Sequence, residues 1–259
     1  MRVRFSLRPP EIMNLDNLNN LIELFSLQAN KQNKKDIFLE WLNPLDKKIY
    51  TWEETQNNIL KLSKIIRENI KEDDRCLLVS ENRPEWFISD IAIMLSGGIT
   101  VPAYTTYTED DYKYLIEDCE PSLVIVSNNE MLKKLNNTIN EKKFIKKIIT
   151  LDEVNKVTND LNIIDKDKYL DFNSIIKNNL LDQNKIQNNK LKRTSPACII
   201  YTSGTGGNPK GVILSHGGIL NNLVGASEIL KPLIDSRPVF LTWLPLSHSY
   251  EHSVQFVQI

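Results

Sequence analysis

The sequence predicts an α/β fold built on a parallel-rich sheet covered by helices. Three observations carry this. Short runs that are wholly or mostly apolar occur at Cys76-Leu77-Leu78-Val79, Ile99 to Ala103 and Leu123-Val124-Ile125-Val126. Helical stripes separate them: Phe87, Ile91, Met94 and Leu95, then Tyr112, Leu115, Ile116 and Cys119. Uninterrupted runs suit strands buried on both faces, and the order strand, helix, strand, helix, strand is that of a parallel sheet with crossover connections.

Taken from the start, residues 1–12 show no periodicity, and a helical pattern begins at Leu15 with Leu18, Leu21, Ile22 and Phe25 on one face. Residues 1–14 are therefore set apart as an extension or a mis-called start, with translation expected at Met13. Ile37 to Trp41 and Lys48 to Tyr50 predict two strands of a hairpin joined by a Pro/Asp turn. Thr51 with Glu54 forms a capping box for a helix whose buried stripe is Ile59, Leu62, Ile66 and Ile70. Pro84 suits the first turn of the next helix, and Gly97-Gly98 ends it. The apolar stretch Trp86 to Val101 is broken by Asp90 and those glycines, which predicts a buried helix and strand rather than a membrane span.

Thr108 with Asp111 caps the following helix. Leu132 to Ile139 predicts a further helix, and Ile145 to Ile149 a strand. Residues 152–193, rich in Asn, Lys and Asp, read as a polar surface excursion, and the lysines at 142, 143, 146 and 147 as a solvated face.

A chain of 259 residues with 41% hydrophobic content can bury a substantial core. Lys plus Arg (32) against Asp plus Glu (33) leaves a net charge of -1, which gives no electrostatic reason to bind nucleic acid. Cys76, Cys119 and Cys198 include no C-x-x-C pair and read as reduced core thiols. No secretion signal is evident, so the expected location is cytoplasmic.

Seven of the nine glycines lie between Gly204 and Gly225. The densest stretch, Tyr201-Thr202-Ser203-Gly204-Thr205-Gly206-Gly207-Asn208-Pro209-Lys210-Gly211, follows the apolar run Ala197 to Ile200. Glycines let backbone N–H groups approach an anion, hydroxyls donate further hydrogen bonds and the ammonium supplies a point charge, so the stretch suits phosphate. It is not a P-loop, because Pro209 precedes Lys210 and Gly211 follows it. A dinucleotide fingerprint from Gly204 would need glycine at position 209, where Pro209 stands.

The stretch resembles the phosphate loop of the adenylate-forming superfamily, [ST]-S-G-[ST]-T-G-x-P-K-G, with Gly206 where the family usually has Thr. Ser215-His216, Asn221-Asn222 and Trp243-Leu244-Pro245-Leu246-Ser247-His248 also match it. Tyr50 to Glu54, Asn82-Arg83-Pro84-Glu85-Trp86 and Val101 to Thr106 resemble the long-chain fatty acyl-CoA synthetase branch. The resemblance implies that residues 15–259 are an incomplete AMP-binding N-terminal domain, part of the large domain, with the small C-terminal domain absent. It also implies a ligase that forms an acyl-adenylate from a fatty acid and ATP and then a thioester with coenzyme A. Thr202, Ser203, Gly204, Thr205, Gly206, Gly207 and Lys210 are then the nucleotide-binding residues and His248 the catalytic one. Magnesium arrives with ATP, and no dedicated protein metal site is expected.

Asn82 to Trp86 reads as structural, and His216 as either a helix cap or a site residue. Fatty acid, ATP and CoA are the implied small-molecule partners. The resemblance leaves room for a complementary C-terminal chain and for peripheral membrane association through the lipid substrate. The chain alone is expected to make no acyl-CoA and to leave apolar edges exposed. Two other readings stay open, a non-catalytic remnant or split-enzyme subunit and a nucleotide-sensing module.

Overall fold

The computed structural model describes residues 2–4, 15–43, 45, 47–153, 165–178, 190–202, 208–230 and 239–259. Their centre is the expected mixed sheet: β4 (Arg75–Val79), β5 (Ile99–Ala103), β6 (Leu123–Val126), β7 (Lys147–Thr150), β8 (Tyr169–Asp171), β9 (Pro196–Thr202) and β10 (Lys210–Ser215). Their order is β10-β9-β5-β4-β6-β7-β8. Only β10 runs antiparallel to its neighbour. Because side chains alternate along a strand, Cys76, Leu78, Leu123 and Ile125 enter one core while Leu77, Val79, Val124 and Val126 enter the other. That is why these runs are apolar at every position.

On one face lie α1 (Leu21–Lys31), α2 (Trp52–Asn69) and α3 (Pro84–Leu95); on the other, α4 (Glu109–Cys119) and α5 (Asn129–Glu141). Both predicted capping boxes form, Thr51 with Glu54 and Thr108 with Asp111. Helix α5 starts earlier than its apolar stripe, because Asn128 caps it by accepting from the Met131 N–H. Among the described residues no helix is long and apolar enough to cross a membrane. A second sheet has the order β11-β1-β2-β3, with β1 (Arg2–Arg4), β2 (Ile37–Trp41), β3 (Lys48–Thr51) and β11 (Val239–Leu241). The β2–β3 pair is the expected hairpin, and Trp52 just beyond it stacks on Phe38 at 3.8 Å.

Every residue of α3 is buried, polar ones included. It packs between β4 and β5 on one side and α1, α2 and the hairpin on the other. Its first turn therefore holds charge inside the protein. Arg83 Nε donates to Glu85 Oε2 at 2.8 Å, and another guanidinium nitrogen donates to Asp152 Oδ1 at 3.0 Å. Lys48 lies 3.0 Å from Glu85, the Tyr50 hydroxyl donates to the same carboxylate, and the Trp41 ring lies against the guanidinium. Burial alone would lift the Glu85 carboxyl, but Arg83 and Lys48 outweigh it and hold it below the ordinary carboxylate range. Its stabilising effect is thus present at neutral pH and lost as pH falls through the lowered folded value. At the other end Gly97, at φ 83°, closes the helix.

Two departures from expectation have physical causes. Within 152–193, residues 169–178 are built into the fold: β8 extends the sheet beyond β7, and α6 (Phe172–Asn178) buries Phe172 and Ile175 against α2. Asn20 and Arg193 also tie its end to α1, with Arg193 donating to the Leu18 carbonyl at 2.7 Å. A strand of three residues and a helix of two turns are too short to show a period. Residues 154–164 and 179–189 lie outside the described residues. The expected exposed apolar edges are found, with Val212, Ile213, Val239, Leu241 and Trp243 all exposed.

Cutting the Arg83–Glu85 pair on one side should be costly, since it strands a buried carboxylate. Arg83→Met is expected to cost about 3–5 kcal/mol in urea unfolding, and Arg83→Met/Glu85→Met distinctly less than the single change. Equal or additive costs would contradict the buried-pair account.

Candidate active site

Strand β9 carries the glycine-rich stretch to the carboxyl edge of the parallel sheet, where α/β folds bind ligands. Thr202 ends β9 exposed, Lys210 opens β10 exposed, and the two are register partners across the antiparallel pair. The structure thus brings the first and last predicted phosphate residues together. Ser203, Gly204, Thr205, Gly206 and Gly207, the other predicted ligands, lie outside the described residues.

Both shoulders of the stretch rest on α4. The Tyr201 hydroxyl donates to the Asp118 carboxylate, and the Tyr114 hydroxyl donates to the Pro209 carbonyl at 2.9 Å. Tyr114 and Asp118 are one helical turn apart, so a single face of α4 receives both. Gly211 has a local reason: a Cβ there would lie 2.8 Å from Ile199 Cγ2 and 3.2 Å from Tyr201 Cζ. Only glycine leaves the Tyr201 ring its course toward Asp118.

His248 is exposed and stands at the N-cap of α8 (Ser249–Val257), where its Nδ1 accepts the Tyr250 N–H at 3.2 Å. With Nδ1 accepting, the neutral ring carries its proton on Nε2. The approach to α8 is held by Asn82, beyond the carboxyl end of β4. Its amide donates to the Leu244 carbonyl at 2.6 Å and its Oδ1 accepts from the Leu246 N–H at 2.8 Å. A turn bond from His248 N to the Pro245 carbonyl, 2.9 Å, completes the seat. Since β4 is separated from β9 only by β5, His248's support and the Thr202/Lys210 pair emerge at the same edge of the sheet.

The titratable groups after His248 point elsewhere. Glu251 and His252 are buried, and burial raises the first carboxyl and lowers the second group's imidazole. His252 lies 3.4 Å from Asp90 and edge-on to Trp86. His216 is neither a cap nor a site group: Ser215 caps α7 (His216–Leu230) by accepting from the Gly218 N–H. His216 is buried, accepts the Leu21 N–H at 3.4 Å, and is pushed down to about 4 by burial. All three cysteines are buried and unpaired. Asn82 to Trp86 is structural, as expected, yet Asn82 also shapes the site. Sequence reasoning did not single out Tyr114 and Asp118, because nothing in a helical tyrosine and aspartate marks a partner about a hundred residues away.

The sequence profile described as AMP-binding enzyme matches residues 25–258. The chain is 31% identical over 210 residues to Long chain acyl-CoA synthetase 3 of Arabidopsis thaliana, covering 79% of this chain and 31% of that one. It is 30% identical over 198 residues to Fatty acyl-CoA synthetase A of Dictyostelium discoideum, covering 74% and 28%. It thus spans about a third of the length of the curated relatives it matches. The fold resembles the N-terminal domain of FACL13 from Mycobacterium tuberculosis, with a TM-score of 0.68 at 15% identity over 93% of this chain and 55% of that one. With that profile matched over nearly the whole chain, the chain belongs to the AMP-binding enzyme family.

Proposed function

We propose that this chain is the nucleotide-phosphate and acyl-carboxylate part of a long-chain fatty acid–CoA ligase. The observation that carries the reading is the Thr202–Lys210 pair, which presents a hydroxyl and an ammonium at the carboxyl edge of the sheet with both shoulders fixed on α4. The names of the relatives support the acyl substrate.

In this reading a fatty carboxylate attacks the α-phosphate of ATP in line, forming acyl-adenylate and releasing pyrophosphate. The coenzyme A thiol then displaces AMP to give the thioester. No covalent bond to the protein forms, so the protein's part is placement and charge stabilisation. Thr202, Ser203, Thr205, Lys210 and the N–H groups of Gly204, Gly206 and Gly207 hold the β- and γ-phosphates. His248, with its proton on Nε2, donates toward the carboxylate oxygen. Magnesium enters as the counter-ion of the nucleotide; among the described residues no group of three or more His, Cys, Asp or Glu could hold an ion.

Lys210→Ala with Thr205→Ala should weaken ATP binding by about tenfold or more, since each removes a charge-assisted bond to phosphate. Titration calorimetry that gives the same affinity for both proteins would sink the assignment. In protein that exchanges pyrophosphate into ATP, His248→Ala should lower that exchange about a hundredfold while ATP affinity and melting temperature hold. An undiminished exchange rate in a normally melting variant would remove His248 from the chemistry.

A further inference from the structure

Asp90 is an unexplained residue in α3. It is fully buried, and the positions one turn away on either side, Trp86, Phe87, Ile93 and Met94, are apolar. Its carboxyl faces Thr100 of β5, Cys198 of β9, and two residues of α8. Gln255 Nε2 donates to Asp90 Oδ2 at 3.0 Å, and His252 Nε2 lies 3.4 Å from the same oxygen. Thr100 also bonds the Asp90 carboxyl, so a polar cluster joins α3, β5 and α8 inside the core. What directional bonds supply that an apolar contact does not is a fixed rotation and register of one helix on another.

The stripe they fix leads to the candidate site. His252 and Gln255 lie three residues apart on the buried side of α8, whose N-cap is His248. The His252 N–H closes the first turn onto the His248 carbonyl at 2.9 Å. The Leu246 carbonyl faces the His252 ring, and Leu246 is itself held by Asn82.

We infer that Asp90 is a positioning residue: through His252 and Gln255 it sets the placement of α8 and thereby the direction in which His248 faces the carboxyl edge of the sheet. The inference rests on the ligase reading for the chemistry His248 performs, but the placement of the ring stands without it. Burial raises the Asp90 carboxyl and lowers the His252 imidazole, so enclosure disfavours charge on both members. Asparagine keeps an oxygen that can accept from Gln255, whereas leucine of similar size does not.

The chain has three histidines, His216, His248 and His252, so side-chain NMR of protein labelled only at histidine gives a separate signal set for each. Asp90→Leu should move the signals of both His252 and His248 and leave His216 in place, while Asp90→Asn should keep all three near their original positions. If Asp90→Leu does not fold, Gln255→Met removes the hydrogen bond from α8 to Asp90 and should still move His248. Unchanged His248 signals in folded Asp90→Leu or Gln255→Met overturn the inference, as does an Asp90→Asn protein as disturbed as Asp90→Leu. In protein that exchanges pyrophosphate into ATP, Asp90→Leu should lower kcat about a hundredfold, the scale of a small misplacement of a reacting group, with KM for ATP unchanged. Lack of exchange in the parent protein would count against the ligase reading alone, with the histidine spectra still deciding the role of Asp90.

Discussion

Helix α3 has no face toward water, and much of the molecule follows from that constraint. A helix enclosed by a sheet, two helices and a hairpin can pair its polar side chains only with neighbouring elements or with its own backbone. Arg83 and Glu85 do so by joining Trp41, Lys48, Tyr50 and Asp152, which binds the second sheet to the end of β7. Ser89 turns back onto the Glu85 carbonyl at 2.7 Å. Asp90 reaches across to α8. The polar residues of one enclosed helix thus connect the outer elements to the central strands.

The candidate site is a consequence of the same arrangement. Parallel strands β4, β5 and β9 deliver their carboxyl ends to one edge, and each is followed by a segment anchored from the side. Asn82 after β4 grips Leu244 and Leu246, Tyr104 after β5 accepts from the Tyr112 hydroxyl at 2.6 Å, and Tyr201 at the end of β9 reaches Asp118. Anchored shoulders lower the entropy lost when flexible donors gather around an anion. A glycine-rich stretch needs that support more than most, because its own backbone supplies so little restraint.

What could be read from the sequence was what is local. Thr51 with Glu54 and Thr108 with Asp111 carry their helix starts within four residues, and the strands from Cys76 to Val126 announce themselves by being almost wholly apolar. The glycine-rich stretch is likewise a composition signal. What was hidden depends on partners far along the chain. His216 could not be told from a helix cap by its sequence position, because its burial depends on Leu21, nearly two hundred residues away. The elements within 152–193 were missed because Tyr169–Asp171 and Phe172–Asn178 gain their order from β7 and α2 rather than from their own pattern. The seat of the phosphate stretch on Tyr114 and Asp118 was illegible for the same reason.

Hydrogen exchange followed by mass spectrometry tests the central claim most directly. Peptides spanning residues 196–215 would be compared with millimolar ATP, with pyrophosphate, with AMP and with no ligand. If terminal phosphates are gripped between Thr202 and Lys210, ATP and pyrophosphate slow exchange within 203–211 and AMP leaves it unchanged. Protection by AMP equal to that by ATP, or no protection by ATP and pyrophosphate, would contradict the account.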